Sequence, residues 1–183
     1  MLQITVLIAQ GFEEVEVVTP VDIWRRAGIE VSLMSLQEKV VVKGARGVSL
    51  VTNELYDSSK IRNTDLLYIP GGKQGVLNLC LNSKVLSDIK NRCELGNEIA
   101  AICAGTVVLL KAGVLNSQEI TSHPSVGQEL VKAGLNYSEK RVVKDQNVWT
   151  SRGPGTASDF AFEYVSQKIS KELASEISEA MVF

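Results

Sequence analysis

The chain has 183 residues, 45% of them hydrophobic and 22% charged, with a formal net charge of −2. That composition is ordinary for a globular protein and excludes a disordered chain, and the near-neutral balance disfavours a general nucleic-acid binder, which needs a basic face. The length suits one well-buried domain, 1–183, and no apolar run reaches the roughly 18–20 residues of a membrane span.

The opening run Met1–Ala9 is apolar, lacks a basic start and flows into Glu13-Glu14, so Gln3–Ala9 reads as a first strand and not as a signal segment. Val15 to Ala27 follows helical spacing, with Val17, Val21 and Trp24 on one stripe and Gly28 as its cap. Glu30–Leu36 predicts a second strand. Lys39–Lys43 and Val48–Thr52 predict a hairpin around Gly44-Ala45-Arg46-Gly47. Leu66–Ile69 is a strand that stops at Pro70-Gly71-Gly72, and helical stretches follow near Gly75–Leu81 and Ser83–Leu95. Strand Glu98–Ile102 leads into helix Thr106–Ala112, closed by Gly113. Beyond strand Glu119–Thr121 and helix Pro124–Ala133, a strand pair, Arg141–Lys144 and Val148–Ser151, surrounds Asp145-Gln146-Asn147. Ser158–Leu173 is helical, and Glu172–Met181 continues it or forms a separate helix.

Strands alternating with helices predict a mainly parallel sheet covered on both faces, with ligands at the carboxyl ends of the strands. Three such ends are unusual: Gln10–Glu14, Pro70–Lys73 and Cys103–Gly105. Cys103 stands on a sharp strand-to-helix turn, the place for an exposed nucleophile, and the helix that follows points its free N–H groups and positive dipole end at the sulfur, favouring thiolate. A buried core thiol is the competing reading for this segment. Gly71-Gly72 lets backbone N–H groups approach a ligand as part of an oxyanion hole, or simply turns the chain. Glu13 and Glu14 suit the dipole of a first helical turn, whereas Glu16 lies one helical step away and is placed to press a proton-shuttling carboxyl against a thiolate. His123, the one histidine of the chain, follows a predicted strand and falls on the same rim, where it is either a structural residue or a member of the nucleophilic site. Cys80, Cys93 and Cys103 are an odd number without a C-x-x-C pair, which indicates free thiols in a reducing compartment, by default the cytoplasm, and no zinc site. Cys80 and Cys93 lie inside helical stretches and read as core or surface residues. No phosphate loop or dinucleotide fingerprint is present.

Taken together, "GFEEVE", "IPGG", "AAICAG", "SHP" and "TSRGPGT" resemble the ThiJ/PfpI superfamily, and within it the parkinsonism-associated protein deglycase branch, in order and spacing from the first strand to nearly the last residue. The resemblance implies a flavodoxin-like three-layer α/β sandwich with a doubly wound sheet, a small β-hairpin and an extra C-terminal helix, as a homodimer without metal or organic cofactor. It implies Cys103 as nucleophile, Glu16 as its neighbouring carboxyl, His123 as the nearby histidine, and the N–H groups of Gly72 and Ala104 as oxyanion donors. Arg26 and Arg46 match residues of a small anion-binding pocket near the dimer interface, with Pro154 close by. The stretch 171–183 matches a C-terminal helix that covers part of the site's surroundings.

The activity implied is glutathione-independent conversion of small α-oxoaldehydes such as methylglyoxal or glyoxal to hydroxy acids, or repair of early glycation adducts. A redox-sensing or chaperone role, with Cys103 oxidised to sulfinate beside Glu16, is the alternative. A protease is disfavoured because Ala104 stands where a histidine follows the nucleophile. A glutamine amidotransferase is disfavoured because Ser125 replaces the glutamate two residues after its histidine. Thr106 replaces a common proline at the helix start without loss of the elbow, Gly44-Ala45 lacks an extra cysteine, and bulky Phe12 is expected to narrow the site's entrance.

Overall fold

Residues 1–183 are described by a computed structural model in which the period-two alternation of the strands divides their side chains between two cores. In β1 (Gln3–Ile8), Ile4, Val6 and Ile8 face one core and Leu7 the other; in β6 (Leu66–Ile69), Leu66 and Tyr68 oppose Leu67 and Ile69; in β7 (Glu98–Ile102), Ala100 and Ile102 oppose Ile99 and Ala101. Burial on both faces is what a parallel sheet demands, and it accounts for the unbroken apolar runs in the sequence.

The central sheet has seven strands in the order β10-β11-β7-β6-β1-β2-β5, where β2 is Glu30–Ser35, β5 Glu54–Leu55, β10 Val142–Asp145 and β11 Val148–Ser151. All neighbours are parallel except the β10–β11 hairpin. Helices α1 (Glu14–Arg26), α7 (Ala157–Lys168) and α8 (Lys171–Ala180) cover one face. There Trp24, Tyr68, Phe160, Tyr164 and Trp149 pack as edge-on and stacked rings with centroids 5.2–6.2 Å apart. The other face is covered by α2 (Ser58–Asn63), α3 (Lys73–Cys80), α4 (Ser83–Glu94), α5 (Thr106–Lys111) and α6 (Pro124–Lys132).

Several elements depart from expectation. The short β5 and α2 carry too few apolar residues to register as periods in the sequence. The predicted strand at Glu119 is β8 (Glu119–Ile120), which pairs with β9 (Asn136–Tyr137) in a separate two-stranded sheet and does not join the central rim. β3 (Val41–Lys43) and β4 (Ser49–Val51) form the expected hairpin, also apart from the central sheet. The last helical stretch breaks at Ile169, and the Ser170 side chain caps a distinct α8.

One charged side chain holds a corner of the fold. Arg92 of α4 is fully buried and donates to the carbonyls of Ile61, Thr64, Asp65 and Glu98 at 2.6–3.0 Å. These carbonyls come from the α2–β6 connection and the start of β7, so one guanidinium satisfies what would be a buried irregular loop. Burial pushes its pKa down to about 10. Arg92→Met is expected to lower the free energy of unfolding by at least about 3 kcal/mol, read from the denaturant midpoint, because it strands these acceptors.

Candidate active site

Glu16 enters the site through a defect in its own helix. Pro20, four residues further on, has no N–H to give to the Glu16 carbonyl, and the Tyr68 hydroxyl of β6 donates to it instead at 2.7 Å. The side chain is fully buried. Its Oε2 accepts the Gly71 N–H at 2.7 Å, while the Glu13 N–H donates to the Gly71 carbonyl at 3.1 Å. Oε1 has no hydrogen-bond partner, and the Cys103 side chain approaches the same carboxyl across Gly71. A Cβ on Gly71 would lie 2.7 Å from Glu16 Oε2, 2.8 Å from Cys103 Cβ and 3.2 Å from its Sγ, so only glycine lets the three segments meet.

Cys103 opens a single 3₁₀ turn, Cys103–Gly105, between β7 and α5. Its φ of 62° lies in the left-handed region, which costs a non-glycine residue about 1–2 kcal/mol and lifts the sulfur out of the strand direction. The His123 N–H donates to the Cys103 carbonyl at 3.4 Å. Thr106 Oγ1 donates to the Thr121 carbonyl at 3.2 Å, which ties the start of α5 to the same segment. Threonine in place of proline therefore keeps the elbow and adds a tether.

The expectation of a dipole-stabilised thiolate is corrected. Burial, and then the Glu16 carboxylate, push the Cys103 thiol well above its usual range, and the Ala104 N–H offsets this only in part. Burial in turn raises Glu16 from 4.5 to about 7, against the lowering pull of the Cys103 and Gly71 hydrogen bonds. The two groups are coupled through space, so the charge state of one affects the ionisation of the other.

Cys103 lines a cavity of about 780 Å³ together with Gly72, Ala104, His123, Arg46 and Pro154. Glu16 lies behind the sulfur. Arg26 does not join them: it sits ten residues along α1 from Glu16, roughly 15 Å at the helical rise, and pairs with Asp22 at 3.1 Å. His123 Nδ1 accepts the Ser125 N–H at 3.2 Å and contacts Ser125 Oγ at 2.8 Å, capping α6; it makes no hydrogen bond to Cys103 Sγ or Glu16. The histidine is thus a wall of the cavity held in place by its helix.

The sequence reading missed other participants. Glu13 lines the cavity and faces Arg46 at 3.7 Å, and Cys80, at the end of α3, opens onto the same space with its thiol pushed up by burial. Glu14 is buried beneath the β3–β4 turn and does not stand free at the helix dipole. Phe12 is buried in the core and leaves the entrance open. α8 packs on α7, and none of its residues lines the cavity.

Comparison with known proteins gives the family. The model of the DJ-1/PfpI family matches residues 2–167. The chain belongs to the DJ-1/PfpI family. It is 37% identical over 179 residues to the Parkinson disease protein 7 homolog of Danio rerio, covering 97% of this chain and 95% of that one. It is 33% identical over 180 residues to the glutathione-independent glyoxalase DJ-1 of Schizosaccharomyces pombe, covering 94% of each. The crystal structure of Drosophila melanogaster DJ-1beta superposes with a TM-score of 0.91 at 34% identity, over 99% of this chain and 97% of that chain. As in other DJ-1/PfpI folds, the sheet is mostly parallel with helices on both sides.

The raised Glu16 has a thermodynamic signature. Its folded pKa of about 7 exceeds the ordinary 4.5, so the folded state binds the extra proton between those values. The stability this contributes is complete below 4.5 and is lost as the pH rises through 7. Glu16→Gln is expected to flatten that dependence: its gain in Tm over the parent, measured calorimetrically, should be larger at pH 8 than at pH 4, by the equivalent of about 3 kcal/mol.

Proposed function

We propose that the chain is a cysteine-dependent glyoxalase that converts small α-oxoaldehydes such as methylglyoxal to hydroxy acids without glutathione, with early glycation adducts open to the same attack. The observation that carries this reading is Cys103 at the wall of an open cavity with the buried Glu16 carboxyl close to it across Gly71. The resemblance to a relative named as a glutathione-independent glyoxalase supports it.

Cys103 Sγ attacks the aldehyde carbon as its proton passes to Glu16, and the carbonyl oxygen, protonated in turn, completes a hemithioacetal. Charge developing on that oxygen falls beside the backbone of Gly72 and Ala104. Glu16 then takes the proton from the former aldehyde carbon, the hydroxyl proton of that carbon passes to the neighbouring oxygen through the enediolate, and Glu16 returns its proton to the adjacent carbon. The first carbon is oxidised to a thioester while the second is reduced to a hydroxymethine. Water hydrolyses the thioester, releasing the hydroxy acid and restoring the thiol. No step draws on a metal or organic cofactor.

Peroxide sensing is the second reading. Oxidation of Cys103 to a sulfinate beside Glu16 uses the same sulfur, which the cavity opens to peroxide as it does to an aldehyde. Three free thiols suit a reducing compartment such as the cytoplasm.

A homodimer has support in an exposed apolar face. Val15 and Val18 on α1 and Val41, Val48 and Val51 on the hairpin are 47–69% exposed. Val48 is tied to α1 through Glu14, so the two elements present one surface. Sedimentation should give a dimer mass, and Val18→Glu should shift it toward monomer.

Cys103→Ser is expected to abolish methylglyoxal consumption with the fold intact, and Glu16→Gln to lower kcat at least a hundredfold. In the parent, kcat/KM should fall tenfold per pH unit below about 7, where Glu16 is protonated, and level off above it. Consumption retained by Cys103→Ser would refute the reading.

A further inference from the structure

We infer that Glu14 is a positioning residue: its buried carboxylate docks the turn between β3 and β4 and so holds the Arg46 guanidinium at the mouth of the Cys103 cavity, where it takes the carboxylate of a small hydroxy acid. This rests on the functional reading above only in treating that cavity as the product site.

Arg46 is the cavity's contribution from a two-stranded hairpin that lies outside the central sheet. Its side chain is 75% exposed, and its one ionic partner, Glu13, stands 3.7 Å away, too far to fix it. The backbone beneath it is fixed instead. Glu14 Oε1 accepts the Arg46 N–H at 2.7 Å and the Val48 N–H at 3.3 Å, and the Glu14 side chain lies against Gly44. The Ala45 N–H reaches the Phe12 carbonyl and the Gly11 N–H the Lys43 carbonyl, both at 2.8 Å. The hairpin turn and the loop leading into α1 are therefore stitched together, with Glu14 the side chain at the seam. Its other oxygen, Oε2, is buried without a partner, a cost that a residue present only to begin a helix would not carry. Gly44 is part of the same device: a Cβ there would lie 2.4 Å from Glu14 Oε1, so the close approach of turn to carboxylate excludes any larger residue.

Two contributions can be separated. Arg46→Ala removes the guanidinium but keeps the N–H that Glu14 accepts. Glu14→Ala keeps the guanidinium but frees its backbone. Gly44→Ala leaves both side chains in place and drives the carboxylate out of its seat. Glu14→Gln retains one acceptor oxygen of nearly the same shape.

The test is lactate binding, followed by NMR titration of the full chain, which does not require turnover. Arg46→Ala, Glu14→Ala and Gly44→Ala should each raise Kd at least fivefold. Glu14→Gln should stay within about twofold of the parent, and the double variant Glu14→Ala/Arg46→Ala should bind no more weakly than Arg46→Ala alone, since both changes remove one interaction. Hydrogen exchange at the Arg46 and Val48 amides should quicken in Glu14→Ala and not in Arg46→Ala. The inference is overturned if Glu14→Ala and Gly44→Ala bind lactate like the parent, if the double variant multiplies the two losses, or if Arg46→Ala binds unchanged or the parent does not bind. A parent that binds lactate but consumes no methylglyoxal would sink the glyoxalase reading and leave this one standing.

Discussion

A buried carboxyl set against a half-buried thiol is the interaction on which the site depends. Neither group is in its ordinary state. Burial raises the Glu16 carboxyl to about 7, and burial followed by the Glu16 charge pushes the thiol upward. A carboxylate in water is too weak a base to take a proton from carbon next to a carbonyl. Placed together, the carboxyl becomes a base matched to neutral pH, and the thiol loses its proton only as it attacks.

The fold supplies this arrangement through backbone exceptions more than through side-chain chemistry. Pro20 breaks the hydrogen-bond ladder of α1 at the residue whose side chain matters, and Tyr68 repairs it from the sheet. Gly71 clears the space between carboxyl and sulfur while its N–H orients the carboxyl. Cys103 is held at positive φ, a strain offset by the two buried cores and by the tether from Thr106 to the His123 segment. Each exception would be unfavourable in isolation, and they converge on one point of the carboxyl rim.

Much of this was legible in the sequence because it is written in local patterns. The apolar runs of β1, β6 and β7 announce strands buried on both faces, and the breaks at Pro70-Gly71-Gly72 and Cys103-Ala104-Gly105 mark their ends. Cys103 stands out by its corner between strand and helix, whereas Glu16 is one of three acidic residues at the start of α1 and is singled out by the family resemblance. What depends on distant pairing was not legible. Arg26 matches a family position, but helix length carries it away from the cavity within one chain. Glu14 reads as a dipole residue until the hairpin is seen to sit on it. His123 stands at a strand end in sequence, yet its strand pairs outside the central sheet and its ring serves the cap of α6. Cys80 reads as an ordinary helical cysteine because nothing local reveals that the end of α3 opens onto the same cavity. The thiolate expectation failed for a related reason: the helix that follows Cys103 is visible in the sequence, whereas the desolvation and carboxylate that outweigh its dipole come from other segments.

The most direct measurement is a pH titration of the Glu16 carboxyl carbon, labelled with ¹³C and observed by NMR in the resting protein. A midpoint close to 7 is the predicted result, that of a carboxyl desolvated beside the sulfur. A midpoint near the ordinary 4.5 would mean that the carboxylate is solvated and independent of the sulfur, and the account of the site would be wrong.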